Sequence, residues 1–429
     1  MLKHMGPYAK KTLLQLFNAS WKSGTVPALW KKAFICPIHK KGKSKKDPKN
    51  YRPISLTSCL GKLMERILNR RLIWHLETNN LLTPTQTGYR KHRSTEDQLA
   101  LLAQEIETAF QEKEKVVSVF FDLSRAFDKV WREGLLLKIH QSGITGRMFG
   151  WIRSFLHDRT AQVKLDGHTS VSVKMREGVP QGGVISPTLF LIYINDITTT
   201  IPKHVSNTLH ADDLAVWSAS EQTSTAAYRL QMTVERIEQW TKDWGLEINR
   251  VKTVATLFSL STSKEKIKIK LGNTVLPQED TPTFLGVKLD KHLTWKPHIE
   301  DLEARGIRRL ALMRKLSGTT WGATSSILKT VYTGTVRPVL EYGSTAWNTA
   351  AKTHKAKLDK VQNLGLRSIL GALKSTPIAE MERTAAIQPL ETRRQGKVLT
   401  QGEKMKRLQS HPLHCKLQAL TKNASNGKV

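Results

Sequence analysis

Three carboxylates raise the first chemical question. Asp212 and Asp213 are adjacent in "TLHADDLAVW" (residues 208–217), inside an apolar run of strand-like composition. Asp122 closes a second such run, "KVVSVFFD", ahead of "LSRAFDKVW". Two like charges side by side repel, and enclosing them is costly unless a cation lies beside them. Hard divalent ions take oxygen ligands, and Mg2+ typically uses one or two protein carboxylates together with substrate phosphates. A pair of such ions roughly 3.5–4 Å apart can clamp the attacking and leaving oxygens of an in-line displacement at phosphorus. The dipeptide by itself leaves a second reading open, because Asp-Asp pairs are common on solvated turns.

The elements that must position these residues can be read along the chain. The run 115–121 is β-rich and ends at Asp122, and a helix-like stretch follows it up to about residue 131. The residues around Ala-Asp-Asp read as strand, turn, strand, so two neighbouring strands of one sheet would bring the distant carboxylates together. "KKAFICPIHKKGKSKKDPKNYRPISL" (31–56) reads as a hairpin whose basic tip carries Gly42 and Pro48. Helical spacing covers 10–22, 60–78, 94–112 and 225–245. "MREGVPQGGVISPTLFLIYINDI" (175–197) is a Gly/Pro-rich turn running into a helix that starts near Ser186–Pro187. Residues 246–259 return to strand, and "FLGVKLD" (284–290) is an arm of another hairpin. Beyond Trp295, Ile299, Leu302, Gly306, Leu310, Met313 and Leu316 form a helical stripe, with Arg305, Arg308, Arg309 and Arg314 on the other faces. Residues 296–370 are therefore expected to form a separate helical bundle. The remainder is basic and weakly patterned, and its end, "TKNASNGKV", is expected to be disordered.

Composition fixes the broad class. The chain has 429 residues, enough for two or three packed units, and 39% of them are hydrophobic, which supports globular folding. Lys and Arg number 68 against 36 Asp and Glu, giving a formal charge of +32 spread along the chain. That excess points to a polyanion, and nucleic acid ranks above a membrane surface because no amphipathic anchor stands out. A merely soluble basic protein would carry the same charge. Three cysteines (Cys36, Cys59, Cys415) are too few for a disulfide framework and fit a reducing compartment. "HPLHC" (His411, His414, Cys415) is only a fragment of a zinc pattern and is not read as a metal site. No signal peptide and no run long enough to span a bilayer is present.

Seven blocks in a fixed order carry a family resemblance. They are "PIHKKGK…NYRPISL", "LTPTQTGYRKHRSTEDQL", "FFDLSRAFDKVW", "EGVPQGGVISPTLF", "HADD", "WGLEINRVKT" and "FLGVKLD", within residues 10–370. The sequence resembles the reverse transcriptases of non-long-terminal-repeat retrotransposons, close to the jockey-like group. The resemblance implies an α+β right-hand polymerase fold: an antiparallel palm sheet packed on helices, fingers, and an all-helical thumb. The implied boundaries are an N-terminal helical extension (1–29), fingers and palm (30–290), thumb (291–370) and a partly disordered basic tail (371–429). It implies DNA synthesis on an RNA template, with a DNA primer and dNTPs as partners, two Mg2+ ions (or Mn2+) as cofactors, and work in the nucleus, with the cytoplasm as the other location.

Residue by residue, the resemblance makes Asp122 and Asp212 metal ligands, with Asp213 completing the acidic trio. Lys40 and Arg52 would contact the incoming triphosphate, a role that suits a point charge and a guanidinium fork. Gln181 would pack beside the nucleotide sugar and base. Phe127 would exclude a ribose 2′-hydroxyl, the group that separates RNA from DNA building blocks. Lys252 would protonate the departing pyrophosphate. Asp128 reads as a turn or helix-start residue, "FLGV" would lie along the primer end, and the thumb arginines would track the duplex backbone.

The pattern breaks at His210, where the family usually has Tyr or Phe. A ring is kept, but size is lost and a titratable group gained. This supports a second reading, a catalytically impaired, polymerase-derived nucleic-acid-binding protein. The sequence leaves no room for an upstream endonuclease, and after residue 370 it has no Asp from which a ribonuclease H could be built. A polymerase segment of a mobile element, without its endonuclease, is the expectation.

Overall fold

The computed structural model describes residues 4–262, 265–318, 321–409, 411, 413, 414, 417 and 418. Cys415 and the stretch 421–429 lie outside the described residues. Packing divides the chain into two units, each built from separated segments: Met1–Tyr89, Asp122–Pro202 and Glu235–Asn249 in the first, and Arg90–Phe121, Lys203–Val234 and Arg250–Val429 in the second. The boundaries expected from sequence follow chain order, whereas the packed units alternate along it.

In the first unit, Lys32–His39 and Tyr51–Leu56 form the expected antiparallel hairpin. Thr160–Leu165 adds in parallel to Lys32–His39 and carries two short strands on its far side. Helix Ser186–Ile194 starts where Ser-Pro predicts, and eight of its residues are buried. A helix apolar all round belongs in a core. Helix Arg132–Gln141 packs on it and brings Lys138 inside. Lys138 Nζ donates to the Tyr193 carbonyl at 2.6 Å and to Asp196 Oδ1 at 2.5 Å, and lies 3.4 Å from the Trp244 ring centre. Burial pulls this ammonium down to about 8, against the pull of Asp196. A buried cation survives only with such partners. The helix-like stretch expected after Asp122 is instead a series of turns, and the helix starts at Arg132. Arg125 adopts φ 50°, which interrupts a right-handed helix.

The second unit is built on a four-stranded antiparallel sheet in the order Ser206–His210, Asp213–Ser220, Lys115–Phe121, Val254–Phe258. Val116, Phe120, Ala215, Trp217, Val254 and Phe258 share one face of it. Leu99, Leu102 and Ile106 of helix Thr95–Gln111 join the same buried cluster. So do Ile299, Leu302 and Leu310 of helix Lys296–Arg314 and Leu358, Val361 and Leu366 of helix Lys352–Leu370. The helices expected as a separate bundle thus close the sheet's own core, because their apolar stripe covers the face that carries these six residues. Two further helices, Ile378–Ala385 and Leu390–Arg407, form where the sequence shows little pattern, and Met381, Leu390 and Met405 enter that cluster.

His298 supplies a pH test of this core. Its ring is fully buried beside Trp347, and its Nδ1 accepts from the Lys288 N–H at 3.4 Å. Burial lowers its pKa to about 4 from the usual 6.5. The unfolded chain therefore binds a proton in a range where the folded chain does not. Stability is complete above pH 6.5 and falls as the pH drops towards 4, by up to about 1.4 kcal/mol per pH unit. Urea unfolding between pH 4.5 and 7 is expected to show a slope that is shallower in His298→Gln.

Candidate active site

The sheet of the second unit collects one end of several strands. Phe121 is paired with Leu214, Phe120 with Val254, and His210 with Asp213. The C-terminal end of Lys115–Phe121 therefore lies at the same sheet end as the Ala211–Asp212 turn. Lys252, exposed on a turn, stands two residues ahead of Val254 at that end. The two-residue turn is tight, and Ala211 takes φ 58°. A left-handed residue with a Cβ costs roughly 1–2 kcal/mol, and the sheet's twist favours such turns between paired strands. Ala211 and Leu209 are buried, Asp212 is half-buried, and Asp213 is exposed. His210 is half-buried; burial holds its ring below the ordinary pKa, and the charge of Asp97 acts in the opposite sense.

In the first unit, Asp122 is half-buried and its carbonyl accepts the Asn249 N–H at 2.8 Å. A bridge between Leu123 and Ile248 and a bond from Ser124 N–H to the Glu247 carbonyl fix the chain just beyond it. The Phe127 ring stacks on Phe190 with centres 4.3 Å apart and planes 18° apart, and its carbonyl accepts the Val179 N–H. Gln181 Nε2 donates to Asp128 Oδ1 at 2.9 Å. Asp128, expected as a turn residue, thus also holds Gln181; burial raises its pKa, and the Gln181 amide lowers it. Ile35, Pro53, Ser55, Asp128, Glu177 and Gln181 help line a cavity of about 250 Å3. Lys40 and Arg52 lie on the neighbouring hairpin. Arg52 is exposed opposite Ile38, and Lys40 Nζ donates to the Lys49 carbonyl at 3.0 Å.

Three braces hold the Gln181 loop, and none of them was named from sequence. Buried Glu65 accepts N–H bonds from Val184 at 2.6 Å and Ile185 at 3.2 Å, and burial raises its pKa. Arg132 donates to the carbonyls of Gly178, Met175 and Glu177 at 2.9, 2.6 and 3.0 Å. Ser55 N–H donates to the Gln181 carbonyl at 2.7 Å. Glu65 and Arg132 read in sequence as ordinary charged helix positions; only a charge falling on a buried stripe could have marked them.

Gly182 is required at this loop. Its φ is 114°, and a Cβ there would lie 2.6 Å from the Ser55 carbonyl oxygen. Gly182→Ala is expected to push Gln181 off the strand, raising the KM for nucleotide about tenfold and costing about 1–3 kcal/mol of stability. Steady-state kinetics and a urea melt check both.

Among the described residues, no three His, Cys, Asp or Glu side chains form a group that could hold a metal. Of the trio expected from sequence, Asp122 belongs to the first unit and Asp212 and Asp213 to the second. The donors on hand are hard oxygens, and Asp213 is exposed at the first position of its strand. This set suits Mg2+, which takes few carboxylates and keeps sites for water and phosphate, and does not suit a closed zinc site.

An antiparallel sheet with helices, a two-residue acidic turn beside a central strand end, and a braced glycine loop make up an α+β polymerase fold. Residues 38–289 match the family described as Reverse transcriptase (RNA-dependent DNA polymerase), and the chain belongs to that family. Curated relatives from Drosophila melanogaster include "Probable RNA-directed DNA polymerase from transposon BS", 34% identical over 83% of this chain and 40% of that protein. Another is "RNA-directed DNA polymerase from mobile element jockey", 31% identical over 94% of this chain and 44% of that protein. The chain thus spans less than half the length of these relatives. A solved structure of apo telomerase from Candida Tropicalis aligns with 96% of this chain and 74% of that one, at 10% identity and a TM-score of 0.48. Among the described residues, no helix is long and apolar enough to cross a membrane.

Proposed function

We propose that this chain extends a DNA primer 3′-hydroxyl with dNTPs on an RNA template, as the polymerase portion of a jockey-like mobile element. The observation that carries the reading is the sheet register, which sets the Ala211–Asp212 turn at the end of the strand that leads into Asp122. Asp122 and Asp212 would hold Mg2+, with Asp213 in support. When bound, such ions supply charge neutralisation at the attacking and leaving oxygens of phosphoryl transfer. Arg52 offers an exposed fork to phosphate oxygens, and Lys40 a point charge at the hairpin tip. Gln181, fixed by Asp128 and by the Ser55 N–H, orients the nucleotide sugar and base. Phe127, held by stacking on Phe190, would exclude a ribose 2′-hydroxyl. Lys252, exposed at the acidic end of the sheet, would give a proton to the departing pyrophosphate. The charge of +32 fits a template–primer duplex bound through its backbone, with affinity that weakens in salt. The nucleus is the favoured place of work, with the cytoplasm as the other location.

His210 favours a second reading, in which the chain binds nucleic acid without turnover. RNA-templated primer extension with Mg2+ or Mn2+, read beside duplex affinity at one salt concentration, decides between them. Template-dependent DNA product supports polymerase action. Tight duplex binding with no product at any dNTP concentration overturns it.

A further inference from the structure

We infer that Lys404 and Gln401, on helix Leu390–Arg407, are positioning residues for the Ala211–Asp212 hairpin and act on it through Asp97. The inference rests on the polymerase reading of that hairpin.

Asp97 is 1% exposed in the first turn of helix Thr95–Gln111. A carboxylate so enclosed is costly unless its oxygens are satisfied. Its Oδ2 accepts the Ser94 N–H at 2.7 Å, closing a capping box, a favourable place for negative charge. Lys404 Nζ reaches both oxygens, at 2.8 and 2.9 Å, and the Gln401 amide donates to Oδ1. The helix from the C-terminal region thus sets an ammonium against a carboxylate that has almost no contact with water.

The next residue, Gln98, is also 1% exposed and turns to the hairpin. Its Nε2 donates to the Leu209 carbonyl at 3.3 Å, and its Oε1 accepts the hydroxyl of fully buried Thr208. Strand Ser206–His210 is an edge strand, laddered on one side only, by Asp213–Ser220. Gln98 holds its other edge three residues ahead of Asp212. The connection runs from Lys404 to Asp97, through the shared helix backbone to its neighbour Gln98, and on to the strand that delivers the acidic turn. Misplacing reacting groups by even an ångström is costly, so loosening this connection should appear in turnover before it appears in binding.

The test uses the full chain with Lys404→Met and Lys404→Arg. In K404M, amide exchange across residues 206–214 is expected to speed up, and kcat for RNA-templated extension to fall about tenfold. The KM for dNTP and the duplex Kd should stay within about twofold, and K404R should restore both exchange and kcat. Unchanged exchange in K404M overturns the inference, as does weakened duplex binding with kcat preserved, which would make Lys404 a nucleic-acid contact. If the wild-type chain makes no product, the polymerase reading fails, and hydrogen exchange alone decides the connection. Should K404M not fold, Gln401→Leu, which keeps the ion pair, is expected to give the same pattern at smaller size, and unchanged exchange there also overturns it.

Discussion

Asp212→Asn is expected to lower RNA-templated primer extension by about a thousandfold or more, roughly 4 kcal/mol of transition-state stabilisation. Asn matches Asp in shape and is as well tolerated in turns, so the hairpin should persist with Ala211 still left-handed. What is lost is one formal negative charge at the sheet end where Phe121 meets Leu214. The exposed neighbour gives the contrast. Asp213→Asn removes a charge at an exposed position that the resemblance gives only a supporting part, and about a tenfold loss is expected. Single-turnover extension on an RNA template measures both, and duplex affinity should change by less than about twofold in either. Equal rates for Asp212→Asn and wild type would end the assignment of this turn.

Phe127→Ala carries the second large effect, on selectivity. The wild-type ring is held by parallel stacking on Phe190, with Tyr89 edge-on at 6.3 Å. Truncation opens space next to the loop that Val179 and Gln181 share with Asp128. The preference for dNTP over rNTP, read as a ratio of kcat/KM, is expected to fall about a hundredfold. Stability should drop by about 2–3 kcal/mol, since buried Phe190 loses the ring stacked on it. Phe127→Tyr should keep the ratio. A preserved ratio in the alanine variant, with the stability loss alone, would make Phe127 a packing residue only.

Both variants act on residues visible in the sequence, and the reason is local. Hairpins depend on a few consecutive residues. "HADD" closes at the expected place because apolar strands flank two turn-forming positions. "FLGV", expected as part of one hairpin arm, is instead the turn itself, because Leu285 and Gly286 both take positive φ between paired Phe284 and Val287. The start of helix Ser186–Ile194 follows equally from Ser-Pro. Such features are set by φ/ψ preferences and by alternation along one strand.

Helix Leu390–Arg407 shows where that logic stops. Only Leu390, Arg394 and Met405 of it are buried, so no apolar period exists to be read. It is held by charge. Arg393 and Lys397 pair with Glu341, Arg394 with Glu391 at 2.8 Å, and Lys404 with Asp97. A run of lysines and arginines has the same composition whether it is solvated or finds carboxylates from distant segments. Glu65 and Arg132 were hidden for the same reason, because their partners are backbone groups of a loop far away in sequence.

The sequence by itself determined the reverse transcriptase family, the acidic turn, the glycine loop and most helix starts, because each rests on neighbours within a few residues. Tertiary structure alone decided which charges are buried and what they hold: Glu65 on the glycine loop, Lys138 among tryptophans, Asp97 between a C-terminal helix and the edge strand. Burying a charge is tolerable only when its partner arrives in the right place, and chain folding, not chain order, brings that partner.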